Sequence, residues 1–302
     1  MCQTKTTFAI VLRYAAPRRG GSKKLSRRME RLGFYVRTMN ERIAHFRAFK
    51  SRKEPIAVLT AYDYPGARLL AESGVDVLLV GDSLGMVVLG YPDTTLVTTD
   101  EMLHHTRAVA RGVKDAGGGP LILADLCFGS ADTPAEAVRN AMHLLQAGAH
   151  AVIIEGGASH VAQIKAMVAE DIPVMAHIGM QPQQVRIEGG YKIKGKTEDQ
   201  AAALIADAMA VEKAGAFGLL LELVVPAVAA KITASVGIPT IGIGAGTECD
   251  GQVLVLHDVI GLYPWFKPKF ATQRADVAGE IRRATREFVD ATKGKGGASG
   301  LV

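Results

Sequence analysis

The sequence lacks any apolar run long enough to cross a bilayer. A membrane-spanning helix needs about 20 consecutive apolar residues, and no stretch among the 302 residues reaches that length. Cysteine is also scarce, since only Cys2, Cys127 and Cys249 occur, far apart and without the spacing of a metal site. This usage is typical of a reducing compartment. We therefore expect neither a membrane protein nor one stabilised by disulfides.

Acidic residues are absent from the first 29 positions, which hold eight Lys and Arg residues. The rest of the chain carries 27 basic residues against 30 acidic ones, so the pI near 9.1 reflects this leader and not the body. A basic patch on the body, as nucleic-acid binding requires, is therefore not expected.

The leader, residues 1–38, has no apolar period and is predicted to be a basic, disordered extension. Two alternatives stay open. The segment resembles an organelle-type targeting peptide, because it is basic and poor in acids, or translation starts at Met39. We expect a cytoplasmic protein, with an organelle location if residues 1–38 are a transit peptide.

From residue 39 onwards, short apolar runs alternate with helical patterns. Strands are expected at 56–61, 76–81, 121–125, 150–155, 173–176, 217–222 and 239–243, and an eighth near 263–267. Helices are expected at 39–53, 65–73, 100–112, 133–147, 159–170, 198–214, 226–236 and 275–292. Continuously apolar strands separated by helices are typical of a parallel sheet buried on both faces.

Seven or eight such units in about 240 residues predict an α/β fold, a (β/α)8 TIM barrel. We expect a single domain over 39–292 with an N-terminal helix, and a flexible tail over 293–302. An open doubly wound sheet is the alternative. It is disfavoured because no GxGxxG follows the first strand, and GIGAG at 242–246 is a weak signal alone.

Acidic residues stand at the ends of four predicted strands: Asp82, Asp125, Glu155 and Glu222. His177 follows a fifth. Barrel active sites lie at the C-terminal ends of the strands, so these side chains should meet at one mouth. Grouped carboxylates raise one another's pKa, and Mg²⁺ relieves the repulsion by binding one or two of them. A single such acid could equally cap a helix, but four equivalent positions predict a metal site.

Ten motifs occur in order along the chain. They are AYDY (61–64), VGDSLGM (80–86), HTRAVARG (105–112), LADL (123–126), IEGG (154–157), HIGMQPQ (177–183), GGYKIKG (189–195), LLELV (220–224), IPTIGIGAG (238–246) and DGQVLVLHD (250–258). Together they strongly resemble the ketopantoate hydroxymethyltransferase family, over about residues 40–290. That family belongs to the phosphoenolpyruvate/pyruvate barrel superfamily.

The resemblance implies an Mg²⁺-dependent enzyme of pantothenate biosynthesis. It would transfer a hydroxymethyl group from 5,10-methylenetetrahydrofolate to the 2-oxo acid 3-methyl-2-oxobutanoate, giving ketopantoate and tetrahydrofolate. Asp82 and Asp125 match the positions that hold Mg²⁺, and Glu155 matches an acid that supports the metal through its water shell. The family forms decamers, so a homo-oligomer is expected.

The resemblance also implies the substrate contacts. The 2-oxo acid would lie against Asp82, Ser83, Asp125, Ile153 and His177, with its carboxylate on the Ser83 N–H. Glu222 matches the acid near the reacting carbon, and we predict it to be the base that takes the C3 proton. Glu155 is the second candidate for this role.

The fourth strand departs from the family pattern. It reads VIIEGG where the family has V-K-[IL]-E-G-G, so Ile153 replaces a lysine. Side chains alternate along a strand, and Ile153 should therefore face the same side as Glu155. Losing a charge-assisted hydrogen bond costs about 1.5–3 kcal/mol of binding. Either Lys192 or Lys194 compensates, the substrate differs, or the enzyme is weakened.

Two other functions are weighed against the transferase. The first is a carbon–carbon lyase or phosphomutase of the same superfamily, although the Lys-Lys-Cys-Gly-His type loop of its lyases is missing from this sequence. The second is a non-catalytic barrel, which Ile153 favours and the intact acids oppose.

Overall fold

Eight parallel strands close into a barrel, with neighbours in chain order. The computed structural model describes residues 39–294. The strands are β1 (Ile56–Thr60), β2 (Val77–Val80), β3 (Leu121–Asp125), β4 (Ala151–Glu155), β5 (Val174–Gly179), β6 (Gly218–Glu222), β7 (Thr240–Ile243) and β8 (Gly251–Leu254). The predicted (β/α)8 barrel is confirmed.

The described helices include the eight that the sequence predicts, within a few residues, and three short ones that it does not, which follow β2, β5 and β8. They span 39–52, Tyr64–Glu72, Leu84–Val87, Thr99–Asp115, Pro134–Ala147, Val161–Ala169, Val185–Glu188, Glu198–Ala214, Pro226–Ser235, Leu256–Ile260 and Val277–Thr292. Pro134 and Pro226 begin two of them, where the missing N–H leaves no helical bond unmade. Gly148 ends the helix that Pro134 begins, and Gly215 ends Glu198–Ala214; their φ values of +113° and +105° lie in the left-handed region that favours glycine.

The expected eighth strand near 263–267 is wrong. Residues 263–267 are irregular, and β8 lies earlier, inside the motif DGQVLVLHD. Pro264 cannot donate to a strand ladder, which excludes 263–267 from the interior of a sheet. The true strand is hard to recognise because it has only four residues and begins with Gly251 and Gln252.

Helix 39–52 closes the N-terminal end of the barrel. Phe46 and Phe49 belong to the same buried cluster as the inward-facing strand residues. The ring of Phe46 meets that of Phe217, just before β6, edge to face at 5.4 Å between centroids. Lys50 Nζ donates to the Asp250 carboxylate, just before β8, at 2.9 Å. The interior is therefore filled with apolar side chains from this end upwards.

The inner face of the barrel becomes polar at the opposite end. Side chains alternate along a strand, so every second residue faces the barrel interior. Each inward apolar residue is followed two positions later by the next inward residue. In four strands that next residue is titratable. The pairs are Leu123 and Asp125, Ile153 and Glu155, Met175 and His177, and Leu220 and Glu222.

The described chain separates after Val253 into two compact units. The second unit contains the helices Leu256–Ile260 and Val277–Thr292, and in it the Arg274 N–H donates to the Val259 carbonyl at 2.7 Å. The domain limits 39–292 stay a prediction. The predicted extension, 1–38, and residues 295–302 of the predicted tail lie outside the described residues. Between residues 39 and 294, no helix has the length and hydropathy to span a membrane.

Candidate active site

Four acids and one histidine converge at the C-terminal end of the barrel. Asp125, Glu155 and Glu222 are the last residues of β3, β4 and β6, and Asp82 lies two residues after β2. His177 lies within β5, opposite Glu155 in the register of the neighbouring strand. The structure thus brings together the acids and the histidine that the sequence singles out.

Direct contacts link these residues in two groups. The Asp82 N–H donates to Asp125 Oδ2 at 2.9 Å. His177 lies between two acids, with Nδ1 3.8 Å from Glu155 Oε1 and Nε2 3.2 Å from Glu222 Oε2. The Nε2 atom is buried and is not aligned for a hydrogen bond to any described residue. His177 therefore lies within ion-pairing distance of both glutamates.

The carboxyl groups are buried without a compensating Lys or Arg among the described residues. Burial raises the pKa of Asp82 to about 6, although a hydrogen bond from Gln183 and the proximity of His177 oppose the shift. Burial and the nearby charge of Asp82 raise the pKa of Asp125 and of Glu155 well above the usual range. Among residues 39–294, no Lys or Arg side chain forms an ion pair with these acids.

The acids of the mouth differ from an ordinary helix cap. Asp63 also follows a strand, and its side chain accepts from the Gly66 N–H at 2.7 Å, which caps the helix Tyr64–Glu72. Asp82 and Glu155 instead accept from Gln183, a residue from a different loop. Capping therefore does not account for these two carboxylates.

The two aspartates fit an Mg²⁺ ion. Each has one oxygen, Oδ1, that accepts no hydrogen bond from a described residue. In the described part of the chain, no three His, Cys, Asp or Glu side chains form a group that could hold a metal by themselves. Mg²⁺ commonly takes one or two carboxylates and fills its other positions with water and substrate oxygens. Asp82 and Asp125 suit this mode, in which Glu155 is not a direct ligand.

Ser83 is held by a hydrogen bond from the segment that follows β1. The hydroxyls of Tyr62, just after β1, and Ser83 are 2.8 Å apart and share a hydrogen bond. The Ser83 N–H donates to no acceptor among the described residues. This backbone group is thus available to an anion, as its predicted role requires.

Ile153 lies one layer below Glu155. It is 1% exposed and belongs to the buried apolar cluster of the barrel interior. Neither lysine proposed to replace the missing charge contacts the acids. Lys194 Nζ pairs with the Glu188 carboxylate, and Lys192 Nζ donates to the Glu188 carbonyl.

Sequence reasoning missed Gln183. It follows β5 in the short turn Pro182–Gln184 and hydrogen-bonds to both Asp82 and Glu155. It stands at the end of the motif HIGMQPQ, but a glutamine after a proline has no strand or helix period and no charge. Only the folded structure indicates its partners.

Comparisons with known proteins identify the family. Residues 40–296 match the family model described as ketopantoate hydroxymethyltransferase. The 3-methyl-2-oxobutanoate hydroxymethyltransferase of Clostridium botulinum is 48% identical over 253 residues, which cover 83% of this chain and 90% of the relative. That of Ignicoccus hospitalis is 51% identical over 238 residues, covering 78% and 89%.

A solved structure supports the fold alone. Phosphoenolpyruvate phosphomutase from Streptomyces platensis subsp. rosaceus superposes with a TM-score of 0.57 at 18% identity, covering 83% of this chain and 87% of that one.

Proposed function

The chain belongs to the ketopantoate hydroxymethyltransferase family, and on that basis we propose that it forms ketopantoate for pantothenate biosynthesis. The substrates are 3-methyl-2-oxobutanoate and 5,10-methylenetetrahydrofolate. Water supplies the hydroxyl oxygen, and tetrahydrofolate leaves. The observation that carries this proposal is the meeting of Asp82, Asp125, Glu155, His177 and Glu222 at one barrel end.

Asp82 and Asp125 would hold Mg²⁺ through their free oxygens, and Glu155 would support it through water. A bound Mg²⁺ supplies Lewis-acid polarisation of the keto oxygen, which makes the C3–H bond more acidic. The raised pKa values of the two aspartates reflect burial without a partner cation. The Ser83 N–H would bind the substrate carboxylate, with the hydroxyl of Tyr62 holding Ser83 in place.

Glu222 is the base in this proposal. Oε2 of Glu155 is fixed by the Gln183 N–H at 3.0 Å, whereas the Glu222 carboxylate accepts no hydrogen bond from a described residue and lies 3.2 Å from His177 Nε2. The Glu222 side chain is also more open, at 13% exposed against 8% for Glu155. Glu222, which lies beside His177, takes the C3 proton, and the C3 carbanion forms the new carbon–carbon bond with the donated carbon.

The folate would lie on the rim of the barrel mouth. Large apolar side chains are exposed on the segments that follow β2, β3 and β5: Val88, Leu96, Phe128, Ile187, Tyr191 and Ile193. Tyr191 lies close enough to the acids to feel their charge. Burial and the charges of Glu222, Asp82 and Glu155 raise its pKa, yet 47% of the residue is exposed. Its ring offers a surface on which the flat pterin can stack.

Ile153 decides how well the proposed reaction works. A lysine in its place would contribute a charge next to Glu155, and no described cation replaces it. We expect the natural protein to bind the substrate carboxylate through the Ser83 N–H and Mg²⁺ alone. We also expect it to act in the cytoplasm as a homo-oligomer, a decamer by resemblance to the family.

The test is ketopantoate formation from the two substrates with Mg²⁺, comparing the natural protein with Ile153→Lys. Ile153→Met is the packing control, and thermal unfolding shows whether each variant is folded. Normal turnover by the natural protein supports the assignment and means that Ile153 is tolerated. Activity only in Ile153→Lys means an intact site that has lost this reaction or moved to another 2-oxo acid. If all three folded proteins are inactive, the transferase assignment fails.

A further inference from the structure

Gln183 joins the ends of three strands at the acidic mouth. Its side-chain Nε2 donates to Asp82 Oδ2 at 2.9 Å and to the Leu126 carbonyl at 3.0 Å. Its backbone N–H donates to Glu155 Oε2 at 3.0 Å. Asp82 follows β2, Leu126 follows β3 and Glu155 ends β4, while Gln183 itself follows β5. One residue therefore connects four neighbouring strand ends.

Both hydrogens of the Gln183 side-chain amide are used in hydrogen bonds. A glutamine amide has two N–H hydrogens, and here one goes to a carboxylate and the other to a carbonyl. The Leu126 bond fixes the direction of the amide, so the hydrogen aimed at Asp82 cannot rotate away without losing a second bond. Asp82 Oδ2 and Glu155 Oε2 are thereby occupied, which leaves Asp82 Oδ1 and Glu155 Oε1 for other partners.

A neutral donor suits this position. A lysine at residue 183 would neutralise Asp82 and compete with a divalent cation for it. A carboxylate there would add charge and could not donate. The amide of Gln183 orients the acid while its negative charge stays available.

We propose that Gln183 is a positioning residue, which fixes the rotation of the Asp82 and Glu155 carboxylates and so selects the oxygens that face the cation and the 2-oxo acid. This inference rests on the proposed function. Groups that hold metal ligands from behind typically contribute 10- to 100-fold to metal affinity. The backbone bond to Glu155 survives any side-chain substitution, so the side chain's effect should come through Asp82.

The experiment compares the parent with Gln183→Ala and Gln183→Met. The matched control is Gln184→Ala, which alters the same residue type in the same turn, where the Gln184 side chain makes no hydrogen bond to a described residue. Calorimetry measures the Kd for Mn²⁺ on metal-free protein without substrate. Steady-state kinetics give kcat and KM for 3-methyl-2-oxobutanoate.

We expect both Gln183 variants to raise the Kd for Mn²⁺ about tenfold or more and to raise the KM of the 2-oxo acid, while Gln184→Ala stays within about twofold of the parent. If Gln183→Ala loses its fold by circular dichroism, Gln183→Met, which keeps the side-chain length, decides the question.

Folded Gln183 variants with the parent's Kd for Mn²⁺ would overturn the positioning role. The proposed function would stand in that case, provided that the parent binds Mn²⁺ and forms ketopantoate. A parent that does neither would refute both proposals.

Discussion

His150 makes the barrel sensitive to acid at the end opposite the candidate active site. It directly precedes β4, and its ring Nδ1 accepts the Ile122 N–H at 2.9 Å. A protonated Nδ1 cannot accept, so the folded protein requires a neutral ring. Burial lowers the pKa of His150 to about 4, and the charge of Arg42 adds to the shift. We therefore expect His150 to destabilise the fold as the pH falls.

The direction of this pH effect follows from the difference between the pKa of His150 in the folded and in the unfolded chain. The unfolded chain binds a proton at His150 below about pH 6.5, whereas the folded chain does so only near pH 4. The contribution of neutral His150 to the free energy of unfolding is present above about pH 6.5. It is lost progressively as the pH falls from about 6.5 to about 4. Linkage gives a loss of about 1.4 kcal/mol at pH 5.5 and about 2.5 kcal/mol at pH 4.5.

The assay is urea unfolding, followed by circular dichroism at pH 7.5, 5.5 and 4.5. His150→Asn places an amide oxygen where Nδ1 accepts, and this side chain cannot titrate. Its free energy of unfolding should therefore fall less than that of the parent, by about 1.4 kcal/mol at pH 5.5 and about 2.5 kcal/mol at pH 4.5. His104→Asn is the control, because His104 is exposed on the helix Thr99–Asp115. If the parent and His150→Asn lose stability equally between pH 7.5 and 4.5, the reasoning is wrong.

Two further predictions concern catalysis. Glu222→Gln should lower kcat by about 10²- to 10⁴-fold in steady-state kinetics. It should leave the Kd for Mn²⁺, measured by calorimetry, within about twofold of the parent. An unchanged kcat would instead assign the role of base to Glu155. Tyr191→Ala should raise the KM for 5,10-methylenetetrahydrofolate about fivefold, from a lost stacking interaction of about 1 kcal/mol, with little effect on the KM of the 2-oxo acid. Tyr191→Phe keeps the ring and should resemble the parent, and an equal effect on both KM values would contradict a folate surface.

The barrel was predictable because its strands are buried on both faces. Continuous apolar runs such as LILA at 121–124 are not expected in a half-exposed sheet, and the helices between such runs favour parallel pairing. The limits of this reasoning appear at β8, where Gly251 and Gln252 open a strand of only four residues. Its place is set by pairing with β7, which a local sequence signal does not contain.

The candidate site likewise contains residues that the sequence can place and one that it cannot. Asp125, Glu155 and Glu222 could be placed together because each ends a strand, and strand ends meet by topology. Gln183 could not, because its contacts span 101 residues to Asp82 and 28 residues to Glu155 and depend on the path of a loop. The acids therefore determine which chemistry is available at the barrel mouth, whereas Gln183 determines how the Asp82 and Glu155 carboxylates are oriented. A substitution at Gln183 that leaves every acid in place should then separate these two contributions, which no substitution of an acid can do.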